Sequence, residues 1–151
     1  MPKILPIKIY PDKILRHRAA VIKKIDKDIK RLILDMGKTM LVNEGVGLAA
    51  PQVGESIRLI VINTKDGPLA LVNPKITRRS WSKEWGEEGC LSLPDFKAKI
   101  KRPKNISVIY WDKNANKIRD LFYIPMVPFW FQILLTGIFN IKNVHFIMVI
   151  G

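Results

Sequence analysis

The stretch Gly45-Val46-Gly47-Leu48-Ala49-Ala50-Pro51-Gln52-Val53-Gly54 is where the character of the chain changes. Its small residues have too little bulk to fill a core, and glycine and alanine let a backbone or a ligand approach closely. Gln52 adds an amide able to donate to an oxyanion. The same residues also suit a plainer use, a glycine-rich helix end followed by a turn. Upstream, Ile25, Ile29, Leu32, Ile33, Met36 and Met40 recur at three- and four-residue steps, which predicts a helix from about Asp26 to Leu41. Asp26 suits its N-cap, while Asn43 and Gly45 stop it. Downstream come short β-rich runs: Ile57–Asn63, the turn Lys65-Asp66-Gly67-Pro68, and Leu69–Asn73 closed by Pro74. Ile106–Trp111, the turn Asp112–Asn116 and Lys117–Phe122 predict a further hairpin. A helix followed by strands without βαβ alternation predicts an α+β fold, with the helix packed on antiparallel strands.

A second segment, Glu87-Glu88-Gly89-Cys90-Leu91-Ser92-Leu93-Pro94, holds the only cysteine of the chain. Neighbouring carboxylates are expected to raise that thiol's pKa, which argues against an unassisted thiolate nucleophile. A metal would reverse this, because coordination deprotonates a thiol outright. A buried structural cysteine fits the same local sequence.

The 151 residues suit one domain able to bury about two-thirds of its unfolded surface, so no disulfide or structural metal is required for folding. A lone cysteine excludes the disulfide-scaffold class and fits a reducing compartment. Pro6 and Lys8 interrupt the apolar residues at the N-terminus, which therefore does not read as a signal peptide and points to the cytosol. Composition divides the chain near Asp120. Residues 121–151 hold 21 apolar residues of 31 and a single charge, Lys142. Of the 26 basic and 13 acidic residues, all others lie in 1–120, leaving that part at +12 of the total +13.

Taken together, the two segments resemble the signatures of the peptide deformylase family, Gly-x-Gly-x-Ala-Ala-x-Gln and Glu-Gly-Cys-Leu-Ser. Tyr10-Pro-Asp-Lys-Ile-Leu-Arg16 resembles the family's opening segment, and Val72-Asn73-Pro74 and Arg102-Pro103 sit where related runs occur. The resemblance spans roughly residues 4–120. It implies a metal-dependent hydrolase that removes the N-formyl group from the initiator methionine of nascent proteins. By the same resemblance, Cys90 matches a ligand of a catalytic Fe²⁺ or Zn²⁺. Gln52 and the Leu91 backbone N–H match the donors to the formyl oxygen, and Val46, Gly47 and Gly89 match the lining of a groove for N-formyl-methionyl peptides. The implied location is the cytoplasm or an organellar matrix.

The family's third signature is a His-Glu-x-x-His helix whose two histidines complete the metal site and whose glutamate moves the proton. This sequence carries no such motif; its histidines are His17 and His145. With Cys90 as the one matching ligand and no general base, the chain is expected to be inactive or impaired. The tail 121–151 admits three readings. It is the product of a frameshift or truncation, or a membrane segment over the 21 uncharged residues Leu121 to Ile141, or the altered end of a non-catalytic relative that keeps the peptide groove. The basic charge reads either as a solvated surface or as a contact with ribosomal RNA. Trp81 and Trp85 read as packing or groove-edge residues.

Overall fold

Side-chain bonds bracket the helix α1 (Lys27–Val42) in the computed structural model, which describes residues 1–123. The Asp26 carboxylate accepts from the N–H groups of Asp28 at 3.1 Å and Ile29 at 3.0 Å, a cap worth about 1 kcal/mol. At the other end the Asn43 amide donates to the Thr39 carbonyl at 2.7 Å. Two buried polar residues of α1 hold the N-terminal segment against it. Asp35 accepts from the Lys3 N–H at 2.7 Å and the Thr39 hydroxyl from the Leu5 N–H at 2.8 Å.

The strands are β1 (Gly47–Ala49), β2 (Leu59–Thr64), β3 (Gly67–Arg79), β4 (Lys83–Cys90), β5 (Leu93–Pro103), β6 (Asn105–Trp111) and β7 (Lys117–Tyr123). Five form an antiparallel sheet in the order β1-β2-β3-β6-β7, and β4 and β5 pair as a separate two-stranded ribbon. Strand alternation gives the five-stranded sheet two apolar faces. Ile33, Met36 and Met40 of α1 pack with Leu48, Leu59, Val61, Ala70 and Val72. Ile60, Ile62, Leu71, Ile106, Val108 and Tyr110 form a second buried cluster, to which Cys90 also packs. The fold is α+β, as the sequence pattern predicts.

Three expectations need correction. Pro74 does not close β3. A register shift between Val72 and Lys75 takes the proline, which has no N–H to offer, out of the ladder, and the strand continues to Arg79. Asn73 makes the detour, at φ 49°. Its side chain accepts from Ile22 N–H and donates to Ile22 C=O, both at 2.8 Å. Second, β4 and β5 are an element that the predicted strands do not include: β4 is rich in Glu and Gly, poor strand formers, and the apolar alternation Phe96-Lys97-Ala98-Lys99-Ile100-Lys101 of β5 is short. Third, the apolar tail does not begin at 121. Leu121, Phe122 and Tyr123 pair with Ser107, Ile106 and Asn105, so the first three residues of the supposed membrane span belong to β7. The remainder of that span, the tail from 124 and the expected loss of a motif helix lie outside the described residues. Among the described residues no helix is long and apolar enough to cross a membrane.

Candidate functional site

The chain leaves α1 through Gly45, whose N–H donates to the Met40 carbonyl at 2.9 Å. A Cβ at this position would lie 3.1 Å from Leu91 Cδ1 and 3.3 Å from the Met40 carbonyl oxygen. Glycine is what allows the two sequence segments to touch. Leu91 and Ser92 form the turn between β4 and β5, with Cys90 opposite Leu93. Between the two segments lies a cavity of about 540 Å³, lined by Gly45, Val46, Gly47, Gly89, Cys90 and Leu91, with the charged residues Glu44, Asp95 and Lys97 also in its lining.

One wall is the outer edge of β1, the terminal strand of its sheet. The Asn63 N–H donates to the Val46 carbonyl at 2.9 Å, so Val46 turns its backbone toward β2. By the alternation of an antiparallel ladder, Gly47 turns its N–H and C=O outward. An extended chain can pair with such an edge.

Gln52 stands behind this wall, 2% exposed, in a short 3₁₀ turn over Ala50–Val53 that Pro51 helps to start. The Ala49 N–H donates to Gln52 Oε1 at 2.9 Å, which orients the amide and aims Nε2 across the gap. Gln52 Nε2 donates to Ser92 Oγ at 3.2 Å and to Cys90 Sγ at 3.5 Å. Burial pushes the Cys90 thiol above its ordinary pKa, against the lowering effect of hydrogen bonds with Ser92 and Leu93. The direction is the expected one, but burial raises the pKa where the expectation rests on neighbouring carboxylates. The nearby Glu87 carboxylate is exposed and pairs with Lys97 at 3.3 Å.

A strap from the N-terminus ties the two segments together. The Lys8 N–H donates to the Gln52 carbonyl at 2.7 Å, and the Tyr10 N–H donates to the Ser92 carbonyl at 2.9 Å. Thus Val46, Gly47, Gly89, Cys90 and Leu91 meet at one cavity, while Gln52 reaches it through its contact with the Cys90 sulfur. Ser92 is the participant that sequence reasoning passes over. It is fully buried, and its place two residues after the cysteine, inside the second segment, is the signal that could have marked it. Trp81 and Trp85 are absent from the lining and are 100% and 61% exposed, so the packing and groove-edge readings do not hold.

The residues present do not make a metal site by themselves. Among the described residues no group of three His, Cys, Asp or Glu side chains is placed to hold an ion. Cys90, Glu44 and Asp95 line the cavity but do not come together as a ligand set, and the Cys90 sulfur already accepts from Gln52. His17 is exposed at the end of a 3₁₀ turn, and His145 lies outside the described residues.

A family model described as polypeptide deformylase matches residues 4–122. A peptide deformylase of Psychrobacter cryohalolentis is 45% identical over 120 residues, covering 78% of this chain and 65% of that protein's length. Among solved structures, a peptide deformylase from Thermotoga maritima superposes with a TM-score of 0.83 at 36% identity, over 89% of this chain and 93% of the other. A Met-Ala-Ser-bound class I type b peptide deformylase from Acinetobacter baumannii gives a TM-score of 0.84 at 29% identity, over 94% of this chain and 99% of that one.

Proposed function

Because this chain belongs to the polypeptide deformylase family, we propose that its cavity receives the N-formyl-methionyl ends of nascent peptides, binding them without hydrolysing them at an enzyme's rate. The observation that carries this reading is the Gln52 Nε2 contact to Cys90 Sγ, 3.5 Å long, beside a cavity that Leu91 also lines. The incoming peptide lies along the outer edge of β1, with Val46, Gly47 and Gly89 as its backbone neighbours. Its formyl oxygen takes hydrogen bonds from the Gln52 amide and the Leu91 N–H. In acyl transfer, each donor aimed at a developing oxyanion is worth about 3 kcal/mol. Here the two donors act as recognition groups for the formyl oxygen.

The limit on hydrolysis follows from ligand chemistry. The family's Fe²⁺ or Zn²⁺ chemistry needs three protein ligands and a base, and among the described residues no three such side chains come together around Cys90. A single thiolate holds such an ion poorly. Formylated nascent peptides occur in the cytoplasm and in organellar matrices, and a lone thiol suits either reducing compartment.

Titration calorimetry of the full chain with formyl-Met-Ala-Ser against unformylated Met-Ala-Ser tests the groove. Preference for the formylated peptide is expected, and equal or absent binding of the two overturns the assignment. In parallel, the chain incubated with Fe²⁺ or Zn²⁺ and the formyl peptide is expected to release no formate above a metal-only blank. Sustained release overturns the non-hydrolytic reading and leaves the groove in place.

A further inference from the structure

The β4–β5 ribbon presents a face of which only the Gly89 and Lys97 end borders the cavity. Its register sets Trp85 opposite Lys101, Glu87 opposite Lys99 and Gly89 opposite Lys97, so these side chains point to one side together with Lys83. All of the non-glycine members are exposed, and the face carries four lysines against one glutamate. Lys97, Lys99 and Lys101 recur at every second residue, roughly 6.6 Å apart along the strand. At the far end of the ribbon, Trp81 is 100% exposed in the loop after Arg78 and Arg79, which are exposed as well. A tryptophan with its whole ring in water is unusual, since burying that ring gains more than burying almost any other side chain.

We infer that this face docks single-stranded RNA, with a base stacked on Trp81 and the lysines of β4 and β5 against successive phosphates. A charged groove beside an aromatic platform is the general arrangement for binding unpaired nucleic acid. Duplexes keep their base faces stacked inside, whereas RNA regularly offers unpaired ones. An anionic membrane fits less well. Lys101 Nζ lies 5.8 Å over the Trp85 ring, so taking that ring into the acyl region would take an ammonium group with it. The same cation–π contact holds the ammonium in place on the ribbon for a phosphate.

The test uses the full chain and a fluorescein-labelled 12-nucleotide oligouridylate followed by anisotropy across a KCl series. Binding is expected to fall with salt at a log–log slope of about −0.7 for each lysine engaged, about −3 for four. Trp81→Ala is expected to weaken binding about five- to a hundredfold with the slope unchanged, and Trp81→Phe to keep most of the affinity. Lys99→Gln with Lys101→Gln reduces the slope by about 1.4. The control pair Lys23→Gln with Lys24→Gln, exposed and remote in sequence from the ribbon, leaves the slope as it was. All these positions are exposed, and unchanged thermal melts verify that each variant folds. The inference is overturned if the control pair lowers the slope equally, if Trp81→Ala binds as tightly as the parent, or if a 12-base-pair duplex competes as well as the single strand. It is overturned too if the chain ignores the oligonucleotide but binds phosphatidylserine vesicles with a blue shift that Trp81→Ala abolishes.

Discussion

The two walls of the cavity are built to different standards. The Gly45–Gln52 wall belongs to the five-stranded sheet, where Gly47, Leu48, Ala49 and Gln52 are all buried and α1 seals one face. The Gly89–Leu91 wall is the end of a two-stranded ribbon in which Gly89 is exposed and Cys90 and Leu91 are only partly covered. A two-stranded ribbon is marginal by itself and depends on what it packs against. One wall therefore acts as a fixed template, and the other is held to it at a few points: the Gln52 amide, the strap, and the contact of Leu91 with Gly45. Binding groups are often divided in this way between a rigid scaffold and a less stable element.

The comparison breaks first if the template is not the stable part. Leu71→Ala removes a fully buried side chain from the five-stranded sheet and is expected to cost about 2–5 kcal/mol in urea unfolding. A cost below that of ribbon variants would reverse the assignment of template and dependent wall. Gln52→Ala attacks the joint between the walls, leaving the Ala49 N–H and the buried Ser92 hydroxyl without their partner. The expected loss is about 1–3 kcal/mol, together with the preference for a formylated peptide in calorimetry.

A smaller effect comes from Tyr110, in the sheet, whose hydroxyl donates to Asp120 Oδ2 at 2.7 Å. Burial first, then the hydrogen bond and charge of Asp120, push its pKa far above the ordinary tyrosine value. Below about pH 10 the phenol is protonated in both folded and unfolded chains and titration contributes nothing. Above that value the unfolded chain releases a proton that the folded chain retains, so stability declines as pH rises. Urea melts from pH 8 to 11 should show this decline, and Tyr110→Phe should flatten it. Smallest of all, Trp85→Ala removes one exposed cation–π contact from the ribbon and should cost under about 1 kcal/mol by the same melts.

Much of the template was legible in sequence because its signals are local. Asp26 as a cap, the apolar spacing of α1 and the alternation of β6 and β7 each need only a few neighbouring residues. The meeting of Gln52, Cys90 and Leu91 was legible only through the two signatures read as a pair, since each segment alone fits a turn or a buried thiol. What escaped depends on partners distant in the chain. Nothing near Tyr10 marks its bond to Ser92, and the continuation of β3 past Pro74 requires Asn73 to find Ile22. The ribbon escaped for another reason: β4 is rich in Glu and Gly, and the alternation Phe96-Lys97-Ala98-Lys99-Ile100-Lys101 that marks β5 is short and crowded with lysine. The end of β7 at Tyr123 is hidden differently, inside an apolar run, where composition alone puts the boundary three residues too early.

The strap of Lys8 and Tyr10 has a consequence for how the cavity comes into being. The residues that clamp it leave the ribosome well before Ser92, which emerges only after α1, β2 and β3 have been made. Synthesis proceeds at roughly 5–20 residues per second, so the N-terminal segment waits for seconds with half of its docking site not yet built. Its early contacts to Asp35 and Thr39 of α1 give it a place to wait. The cavity therefore closes only once the turn between β4 and β5 has been made, joining residues of the strap to much younger ones.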